Sequence, residues 1–427
     1  MSKTNENKLV PRLRFPEFKN AGEWRKSVLG QLVHIKGRIG YRGYTTDDIV
    51  KKGEGAITLS PSNFDENGNL NFEKCTYITW SKYEESPEIQ LEEGQTVLVK
   101  TASVGKTAYV QNLPEKATVN PQIVVLKAKD IQKRFLAFTI AHPNIQIQIK
   151  NCVGAGAIPN LSQESISKFL VLVPPDKEKK EQQKIAFCLS SLDEVITAEN
   201  QKLELLKEYK KGLLQNLFPQ EGETVPKFRF KEFEDSGKWE EMSLGDVAEI
   251  VTGNTPPTND ISSYGGNKMF VSPADISETR YVAKTKTTLS DKGFALTRHI
   301  KRNSVLFVCI GSTIGKVAQN KFECATNQQI NSLVPHEGYS SDFIYSLLDC
   351  NSTKIASIAG NHAVPIINKS SFSAVKLFFP SKLAEQQKIA SCFSAIDELI
   401  NALNKKTIAF QLHKKGLLQG LFPKIKD

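Results

Sequence analysis

The sequence predicts an α+β protein built from two similar globular domains and two long helices. Three observations lead to this prediction. The hexapeptide "EQQKIA" occurs twice, at residues 181–186 and 385–390. From these points, residues 181–219 and 385–423 align without a gap, and 23 of 39 positions are identical. The rest of each half contains short apolar or alternating runs between turn residues, which is typical of strands. A repeat this long indicates duplicated domains and not a solenoid of short units.

Length and composition are those of an ordinary globular protein with a basic excess. The 427 residues allow two to four domains, and 40% hydrophobic with 24% charged residues is a common balance. The net charge of +10 favours polyanionic partners, chiefly nucleic acid. The apolar runs are too short to span a membrane, and the N-terminal residues lack the apolar core of a signal peptide. Seven scattered cysteines without a C-x-x-C pair fit a reduced, cytoplasmic compartment.

The duplication also covers the segments before and between the helices. "PRLRFPEF" before Trp24 is echoed by "PKFRFKEF" before Trp239, and "VNPQIVVL" at Val119 resembles "TNQQINSL" at Thr326. The whole chain is therefore expected to be a pseudo-twofold internal repeat. The predicted divisions are a globular domain at 1–175, a central helical spacer at 176–219, a second globular domain at 220–380 and a C-terminal helical spacer at 381–427.

Each helical segment carries a heptad seam, which is the signature of a coiled coil. The first seam is interrupted by Glu199, and its apolar positions are Ile185, Leu189, Leu192, Ile196, Leu203 and Leu206. The second seam is Ile389, Phe393, Ile396, Ile400, Leu403, Thr407 and Phe410. A helix of about 35 residues would be roughly 50 Å long. We expect the two helices to pair with each other in antiparallel fashion. The alternative is that each seam packs only on its own domain.

Strands are predicted in the diverged middle of each half. The apolar runs "TVLVKTA" at Thr96, "QIVVLKA" at Gln122 and "SVLFVCI" at Ser304 have strand length and composition. The clusters "DENGN" at Asp65 and "SYGGN" at Ser263 are predicted to be turns between strands. Together these runs favour substantial sheet content, mixed or antiparallel.

The motif search finds no catalytic site. Gly105-Lys106-Thr107 resembles the end of a phosphate-binding loop, but Lys100 stands where that loop needs its first glycine. The related Gly315-Lys316 pair lies one residue too close to Gly311 for such a loop, and valine follows its lysine. Both segments are therefore predicted to be glycine turns that join two strands. The histidines lie singly, without zinc-ligand spacing, and the G-x-S-x-G elbow is missing. The N-P-P-aromatic tetrapeptide of amino-methyltransferases is missing too.

Basic and aromatic residues cluster in two predicted loops. They are "KGRIGYRGY" at residues 36–44 and "RHIKR" at residues 298–302. Two globular units joined by long helices could contact two DNA half-sites. Half-sites that are one helical turn of DNA apart lie about 34 Å from each other. Lysine and arginine would contact phosphates, and arginine, asparagine or glutamine would contact base edges. The alternative for any single residue is an ordinary solvated charge.

The chain resembles the DNA-specificity subunit of a type I restriction-modification enzyme. The resemblance rests on "PRLRFPEF" with Trp24, on "PKFRFKEF" with Trp239, and on the passage from "VPPDKEKKEQQKIA" into "KKGLLQNLFP". It also rests on "TGNTPPTNDISSYGGNKMFVSPADI" at residues 252–276, and it extends over nearly the whole chain. The first half has "KGRIGYRGY" where the second has the family's G-x-T-P turn, so it departs from the pattern there.

The resemblance implies a division of labour in a larger complex. The globular domains would be target-recognition domains, each contacting one half of a bipartite double-stranded DNA target. The helices would form an antiparallel coiled coil that sets the spacing and docks two methyltransferase subunits. Those subunits would bind S-adenosylmethionine and methylate adenine, while restriction subunits would use ATP and Mg²⁺. This chain would be non-catalytic, binding neither cofactor nor metal and no membrane.

The candidate site residues follow from the loops and from the resemblance. The predicted DNA-contacting residues are Lys36, Arg38, Tyr41, Arg42, Tyr44, Lys100, Ser103, Lys106, Asn254, Thr255, Thr258, Tyr264, Lys268, Arg298, Lys301, Arg302, Ser312, Thr313 and Lys316. The predicted partner-docking residues, at the helix starts, are Glu181, Gln182, Gln183, Glu385, Gln386 and Gln387. For the two glutamates the structural alternative is a favourable charge at a helix N-terminus.

Two other functions are compatible with the layout. One is an enzyme, a methyltransferase or nuclease with an unrecognised site, which would bind S-adenosylmethionine as an isolated chain. The other is a two-armed cytosolic scaffold that binds proteins and does not bind DNA. Binding to duplex DNA that weakens steeply with salt would separate the scaffold from a specificity subunit, because phosphate contacts release counterions.

Overall fold

The computed structural model describes residues 8–38, 43–65, 68–153, 159–277, 279–360 and 364–424. The chain divides into two compact units. Unit 1 comprises Met1–Thr197 with Ile408–Asp427, and unit 2 comprises Ala198–Thr407. Each unit therefore contains one globular part together with sections of both long helices.

Unit 1 contains ten strands and five short helices in the part of the chain that the structure describes, besides its share of the long helices. The strands are β1 Arg25–Val28, β2 Val33–Gly37, β3 Ile49–Val50, β4 Gly55–Leu59, β5 Thr76–Thr79, β6 Thr96–Val99, β7 Thr107–Tyr109, β8 Ala117–Val119, β9 Ile123–Ala128 and β10 Leu170–Val173. The helices are α1 Leu29–Leu32, α2 Trp80–Glu84, α3 Lys133–Ala141, α4 Pro143–Cys152 and α5 Gln163–Ser167.

The strands of unit 1 form three sheets. Four of them are ordered β2-β9-β6-β7, all antiparallel, and four are ordered β3-β5-β4-β8 with one parallel pair, β4 with β8. Strands β1 and β10 form a separate antiparallel pair. Apolar side chains fill the space between the two larger sheets, including Ile57, Val97, Val99 and Val125, all fully buried.

Unit 2 repeats this order of elements, except that the single helix α9 stands where unit 1 has α3 and α4. Its strands are β11 Glu240–Ser243, β12 Ala248–Thr252, β13 Tyr264–Val271, β14 Tyr281–Val282, β15 Thr287–Leu289, β16 Val305–Val308, β17 Val317–Asn320, β18 Cys324–Thr326, β19 Ile330–Pro335 and β20 Lys376–Phe379. Its short helices are α7 Leu244–Val247, α8 Asp291–Ala295, α9 Ser341–Ala356 and α10 Lys369–Ser373. The sheets are ordered β12-β19-β16-β17-β14, β15-β13-β18 and β11-β20. Parallel pairs occur between β13 and β18 and between β14 and β17, so the fold is α+β with mixed sheets, as the sequence predicts.

The two long helices are α6 Lys180–Leu217 and α11 Leu383–Leu421, of 38 and 39 residues. Within unit 1 the start of α6 packs beside the end of α11, with Ile185 and Leu189 in the same buried cluster as Leu421. Lys414 of α11 forms an ion pair there with Asp193 of α6. The helices therefore run antiparallel, and the predicted coiled-coil pairing is confirmed.

Unit 2 contains the equivalent pairing with the helices exchanged. Leu217 and Phe218 at the end of α6 lie in one cluster with Ile389 and Phe393 near the start of α11. Lys210 of α6 forms an ion pair with Asp397 of α11 at 2.9 Å. In the repeat, Lys210 corresponds to Lys414 and Asp397 to Asp193, so the same charge pair fixes the helix register in both units.

The glutamate of the first "EQQKIA" segment is buried against unit 1. Arg14 donates from Nε and Nη2 to the two carboxylate oxygens of Glu181, each at 2.8 Å. The indole N–H of Trp24 donates to the same carboxylate at 3.3 Å, and Nη1 of Arg14 donates to the carbonyl of Gly22. The repeated motifs before the sheet and at the helix start are thus one side-chain cluster.

Unit 2 contains the same cluster. Arg229 donates to both oxygens of Glu385 at 2.7 and 2.8 Å, and the indole N–H of Trp239 donates at 3.2 Å. The fourth contact also recurs, from Nη1 of Arg229 to the carbonyl of Gly237. A buried charge is tolerated only when it is paired and hydrogen-bonded, which explains why the sequence motifs recur together.

The first glutamine of each "EQQKIA" also has an internal partner. Oε1 of Gln182 accepts the backbone N–H of Gln132, the residue that caps α3, at 2.9 Å. Oε1 of Gln386 accepts the backbone N–H of Ser340, the residue that caps α9, also at 2.9 Å. Each long helix is thereby joined to a second helix of its own unit.

Two turn predictions have different outcomes. The glycine–lysine turns join β6 to β7 and β16 to β17 as antiparallel hairpins, with φ of 96° at Gly105 and 93° at Gly315, which confirms them. The prediction of a turn at "SYGGN" is wrong, because β13 begins at Tyr264 and continues to Val271. Its glycines lie at a register shift between Tyr264 and Lys268, where the strand departs from regular pairing. Glu66 and Asn67 of "DENGN" lie outside the described residues.

We expect Glu385→Ala to lower the free energy of unfolding by about 3–5 kcal/mol, because it leaves a buried guanidinium and a buried indole N–H without their acceptor. Urea unfolding followed by tryptophan fluorescence measures the change. Gln387→Ala is the matched control, since this side chain lies exposed on the same turn of α11 and its loss should change the value by no more than about 0.5 kcal/mol. Equal losses in the two variants would contradict the assignment.

A second prediction concerns pH. His142 is buried at the start of α4, where Nδ1 accepts the N–H of Asn144 and the ring stacks on Phe422 at 4.9 Å. Burial lowers the pKa of His142 to about 4. Since the unfolded chain takes up this proton near pH 6.5, the stability of unit 1 should fall between pH 6.5 and 4, by roughly 3 kcal/mol in total.

The variant His142→Asn tests this pH dependence, because asparagine also accepts a helix-capping hydrogen bond but does not titrate. Urea unfolding midpoints measured from pH 7 to pH 4 should fall less steeply for the variant than for the wild-type protein. Replacement of the exposed His34 by glutamine should leave the wild-type slope unchanged. Parallel curves for wild type and His142→Asn would show that another group is responsible.

Candidate nucleic-acid interface

Several loops of unit 2 meet at one edge of its sheets. Strands β12, β16 and β18 end there, and β17 and β19 begin there, as the pairing of Thr252 with Asn331 and of Val308 with Ile330 requires. We call this the loop edge of unit 2 and define it as residues 252–257, 296–298, 309–316 and 326–329. Beneath it, Thr252 donates to Asn331 at 2.6 Å, and the amide of Asn331 donates to Sγ of Cys309.

Two loops of this edge, 252–257 and 326–329, touch through their backbones. The backbone of Gly253 passes so close to residues 326–327 that an added Cβ would lie 2.2 Å from the carbonyl oxygen of Thr326. Glycine is therefore required at this position. Beyond it, the hydroxyl of Thr255 donates to Oε1 of Gln328 at 2.7 Å.

The loop at 296–298 is held by Asn254. Its amide donates to the carbonyl of Leu296 at 2.9 Å, and its Oδ1 accepts the backbone N–H of Arg298, also at 2.9 Å. Nη1 of Arg298 donates to the carbonyl of Thr252 at 2.6 Å. The structure thus brings Arg298 next to Asn254, from which it lies 44 positions away in the sequence.

The loop edge of unit 2 contains a side-chain bracket. The amide of Asn327 donates to Oε1 of Gln329 at 2.9 Å, and the backbone N–H of Gln329 donates to Oδ1 of Asn327 at 3.1 Å. In unit 1, Asn120 and Gln122 make the same two bonds at 3.1 and 3.0 Å. The residue between the two bonded side chains differs, since it is Gln328 in unit 2 and Pro121 in unit 1.

Unit 1 has the corresponding loop edge, which we define as residues 37–38, 99–107, 119–123 and 159–161. The backbone N–H of Lys100 donates to the carbonyl of Gln122, and that of Leu161 donates to the carbonyl of Lys100. Val99 pairs with Ile123 where β6 meets β9. The same ends of equivalent strands therefore carry the loops in both units.

Arg38 does not extend from this edge. Its side chain is buried, and its Nε donates to the carbonyl of Val119 and its Nη2 to the hydroxyl of Thr118. Burial lowers the pKa of its guanidinium. Gly37 pairs with Val124 as Thr252 pairs with Asn331, so Arg38 occupies the position of Gly253. Arg38 is thus buried and internally bonded, whereas the sequence suggested an exposed loop residue.

The other predicted residues of unit 1 lie on or near its loop edge. Lys36, Ser103 and Lys106 are exposed, and Lys100 is partly exposed. Tyr44 is partly exposed and lies 5.9 Å from the guanidinium of Arg38. Tyr41 and Arg42 lie outside the described residues.

The remaining predicted residues of unit 2 surround its loop edge. Lys301, Arg302, Thr258 and Ser312 are exposed, and Thr313 is partly exposed. The hydroxyl of Tyr264 donates to the carbonyl of Pro256, and Nζ of Lys316 donates to the carbonyl of Ile276. Lys268 lies 3.6 Å from Asp291 and over the ring of Phe294.

Local ion pairs neutralise some of the positive charge in unit 2. Lys292 pairs with Asp260 at 2.8 Å, and its hydrogen bond, with those of two serine hydroxyls, holds the pKa of Asp260 well below its usual range. The side chains of Lys301 and Arg302 form no ion pair within the described residues. They supply positive charge that a phosphate could neutralise.

The predicted docking residues fall into two groups. Glu181, Gln182, Glu385 and Gln386 are buried and bonded within their own units, where they join the long helices to the globular parts. Gln183 and Gln387 are exposed. Docking at the helix starts stays a prediction for these two.

Sequence reasoning missed the bracket residues. Asn120, Gln122, Asn327, Gln328 and Gln329 lie in the matched segments "VNPQIVVL" and "TNQQINSL", and the recurrence of asparagine and glutamine two positions apart was the available signal. Among the described residues, no group of three or more histidine, cysteine or acidic side chains could hold a metal ion. In the same part of the chain, no helix is apolar enough over a sufficient length to cross a bilayer.

Comparison with known proteins agrees with this architecture. The family model "Type I restriction modification DNA specificity domain" matches residues 23–208 and 236–412. The HindI specificity subunit of Haemophilus influenzae is 30% identical over 178 residues, covering 40% of this chain and 38% of that protein. The MjaIX specificity subunit of Methanocaldococcus jannaschii is 29% identical over 209 residues, covering 45% and 48%. The chain thus spans less than half the length of each of these curated relatives.

A solved structure shares the fold over its full length. The S subunit of a type I restriction-modification system from M. genitalium superposes with a TM-score of 0.64, covering 98% of this chain and 100% of that one, at 13% identity. The two matched segments of the family model fall on the two halves that contain the loop edges. The chain belongs to the family of type I restriction-modification DNA specificity domains and carries two copies of that domain.

Proposed function

We propose that this chain is the sequence-recognising subunit of a type I restriction-modification complex. Each unit contacts one half of a bipartite double-stranded DNA target with its loop edge. The two long helices, which belong to both units, set the distance between the half-sites. The chain performs no chemistry of its own.

The observation that carries this proposal is the convergence of the loops. In both units, exposed lysine and polar side chains from loops that are distant in sequence meet at the same end of equivalent strands. Rigid strands position loops well for recognition, and lysine, arginine, asparagine and glutamine are the side chains that contact phosphates and base edges. The net charge of +10 suits a polyanionic partner.

The helices offer surfaces for protein partners. Leu205 and Tyr209 of α6 and Ile408 and Leu412 of α11 are exposed, although large apolar side chains are usually buried. We assign these helices to the docking of two adenine methyltransferase subunits. S-adenosylmethionine then binds to those subunits, and ATP and Mg²⁺ bind to the restriction subunits that join the complex.

One prediction concerns phosphate contacts. Lys106 is exposed on the turn between β6 and β7, and we expect it to bind a phosphate. Lys106→Ala should weaken binding to all duplexes alike and reduce the slope of log K against log salt by about one. Titrations of labelled duplex by the complex at four salt concentrations measure it. Lys202→Ala, an exposed lysine on α6, is the control, and an unchanged slope for Lys106→Ala would contradict the contact.

The proposal as a whole is tested by a methylome. A host without this system would express the chain together with its methyltransferase partner, and a parallel culture would express the partner alone. We expect methyladenine at a split motif only where the chain is present. Exchanging residues 239–379 for those of another specificity subunit should change one half of the motif and preserve the other.

Two results would overturn the proposal. The first is a soluble complex that produces no new methylation and whose DNA binding is absent or insensitive to salt. This result would indicate the two-armed scaffold protein. Binding of S-adenosylmethionine by the isolated chain would indicate an enzyme.

A further inference from the structure

We propose that Gln328 determines one base of the half-site that unit 2 recognises, with Thr255 as its positioning residue. This inference rests on the proposed function and adds to it a single side chain with a defined hydrogen-bonding pattern. The chemical group it contacts is the major-groove edge of an adenine.

The position of Gln328 is fixed by its neighbours. Asn327 and Gln329 are bonded to each other on either side of it, and the backbone N–H of Asn327 donates to the carbonyl of Val271 at 3.0 Å. Gln328 is exposed at the apex of this bracket. A side chain on a rigid backbone loses less conformational freedom when it binds than one on a mobile loop.

The orientation of the amide group is fixed as well. The hydroxyl of Thr255 donates to Oε1 of Gln328 at 2.7 Å, which directs the amide oxygen toward Thr255. The two Nε2 hydrogens have no acceptor among the described residues, and Oε1 retains a second lone pair. The group can therefore donate to N7 of adenine and accept from its N6 amino group, which is the pairing that glutamine makes with adenine.

A purely structural role for Gln328 is less consistent with the contacts. The loops are already joined without it, since the backbone N–H of Gly253 donates to the carbonyl of Ile330 at 3.1 Å and Asn254 bonds to the loop at 296–298. In unit 1 the bracket forms with Pro121 at the middle position, which has no side-chain amide. The bracket therefore does not need a glutamine at its apex.

The surroundings suit a base contact. Arg298 is exposed on the adjoining loop, and one of its terminal nitrogens is bound to the carbonyl of Thr252. The other N–H groups of its guanidinium have no partner in the described part of the chain, and they can bind a phosphate. Phosphate contacts hold a protein in register on the duplex while a neighbouring side chain contacts the base edge.

The experiment measures methylation rates of the complex on a panel of duplexes, each carrying one substituted base pair of the motif. Wild type is compared with Gln328→Ala, Gln328→Glu and Thr255→Val. Gln201→Ala, an exposed glutamine on α6, is the matched control, and the half-motif of unit 1 is an internal control. Thermal unfolding checks that each variant is folded.

We expect Gln328→Ala to reduce the preference for adenine at one position of the half-motif of unit 2 by about 5- to 150-fold, the range for one bidentate pair. All other positions should keep their preferences. Gln328→Glu should move the preference at that position toward cytosine, whose amino group donates to a carboxylate. Thr255→Val should reduce the same preference by a smaller factor, because the amide can then rotate.

The outcomes separate this inference from the proposed function. Unchanged base preferences in folded Gln328→Ala, or a uniform loss of rate at every position, would overturn the role of Gln328 while wild-type methylation at a split motif upheld the proposed function. A wild-type complex without any sequence preference would overturn both.

Discussion

The buried ion pair at the head of each long helix is the constraint on which the rest of the structure depends. Glu181 is fully buried, and its charge is stable there only because Arg14 and Trp24 donate to it. Each partner comes from a segment that precedes the sheets, so the pair joins the beginning of the globular part to the helix that follows it. This explains why the two ends of each half are the best-preserved parts of the repeat, since loss of any one of the three groups leaves the others buried without a partner.

A second link between sheet and helix shows how the repeat could diverge without losing the connection. In unit 1, Arg134, the second residue of α3, donates to the hydroxyl of Ser190 on α6 at 3.0 Å. In unit 2 the equivalent position on α9 is Asp342, which has no guanidinium. Arg280, the residue before β14, supplies the guanidinium there and donates to Asp342. Arg280 pairs with Asp342 and donates at 2.6 Å to Ser394, the repeat equivalent of Ser190. In both units an arginine guanidinium therefore donates to the equivalent serine of the long helix, although the arginine belongs to a different element in each unit.

Sequence reasoning recovered the repeat, the helices and the hairpins because each depends on local pattern. The seam of α11 is a heptad repeat and the strand at Val305–Val308 is a short apolar run, and both are visible in the local sequence. The cluster at the loop edge depends on strands that are distant in sequence ending together, which no local pattern records. For the same reason the sequence suggested that Arg38 is exposed, whereas its guanidinium fills the space beside Val119. The glycines of "SYGGN" were assigned to a turn because composition cannot distinguish a turn from an irregular edge of a strand.

The loop edge separates residues that maintain the fold from residues that are free to change. A side chain at Gly253 would collide with the backbone at Thr326, so substitution there must disturb the joined loops. The apex of the bracket is exposed in unit 2, where it is Gln328, and the equivalent position in unit 1 holds Pro121. Exposed substitutions of this kind typically change stability by less than about 0.5 kcal/mol, whereas one well-formed pair with a base alters discrimination by about 1–3 kcal/mol. On the proposed role of Gln328, a single substitution at the apex would change the target and leave the fold intact, because the free energy of base discrimination is then largely independent of the free energy of folding.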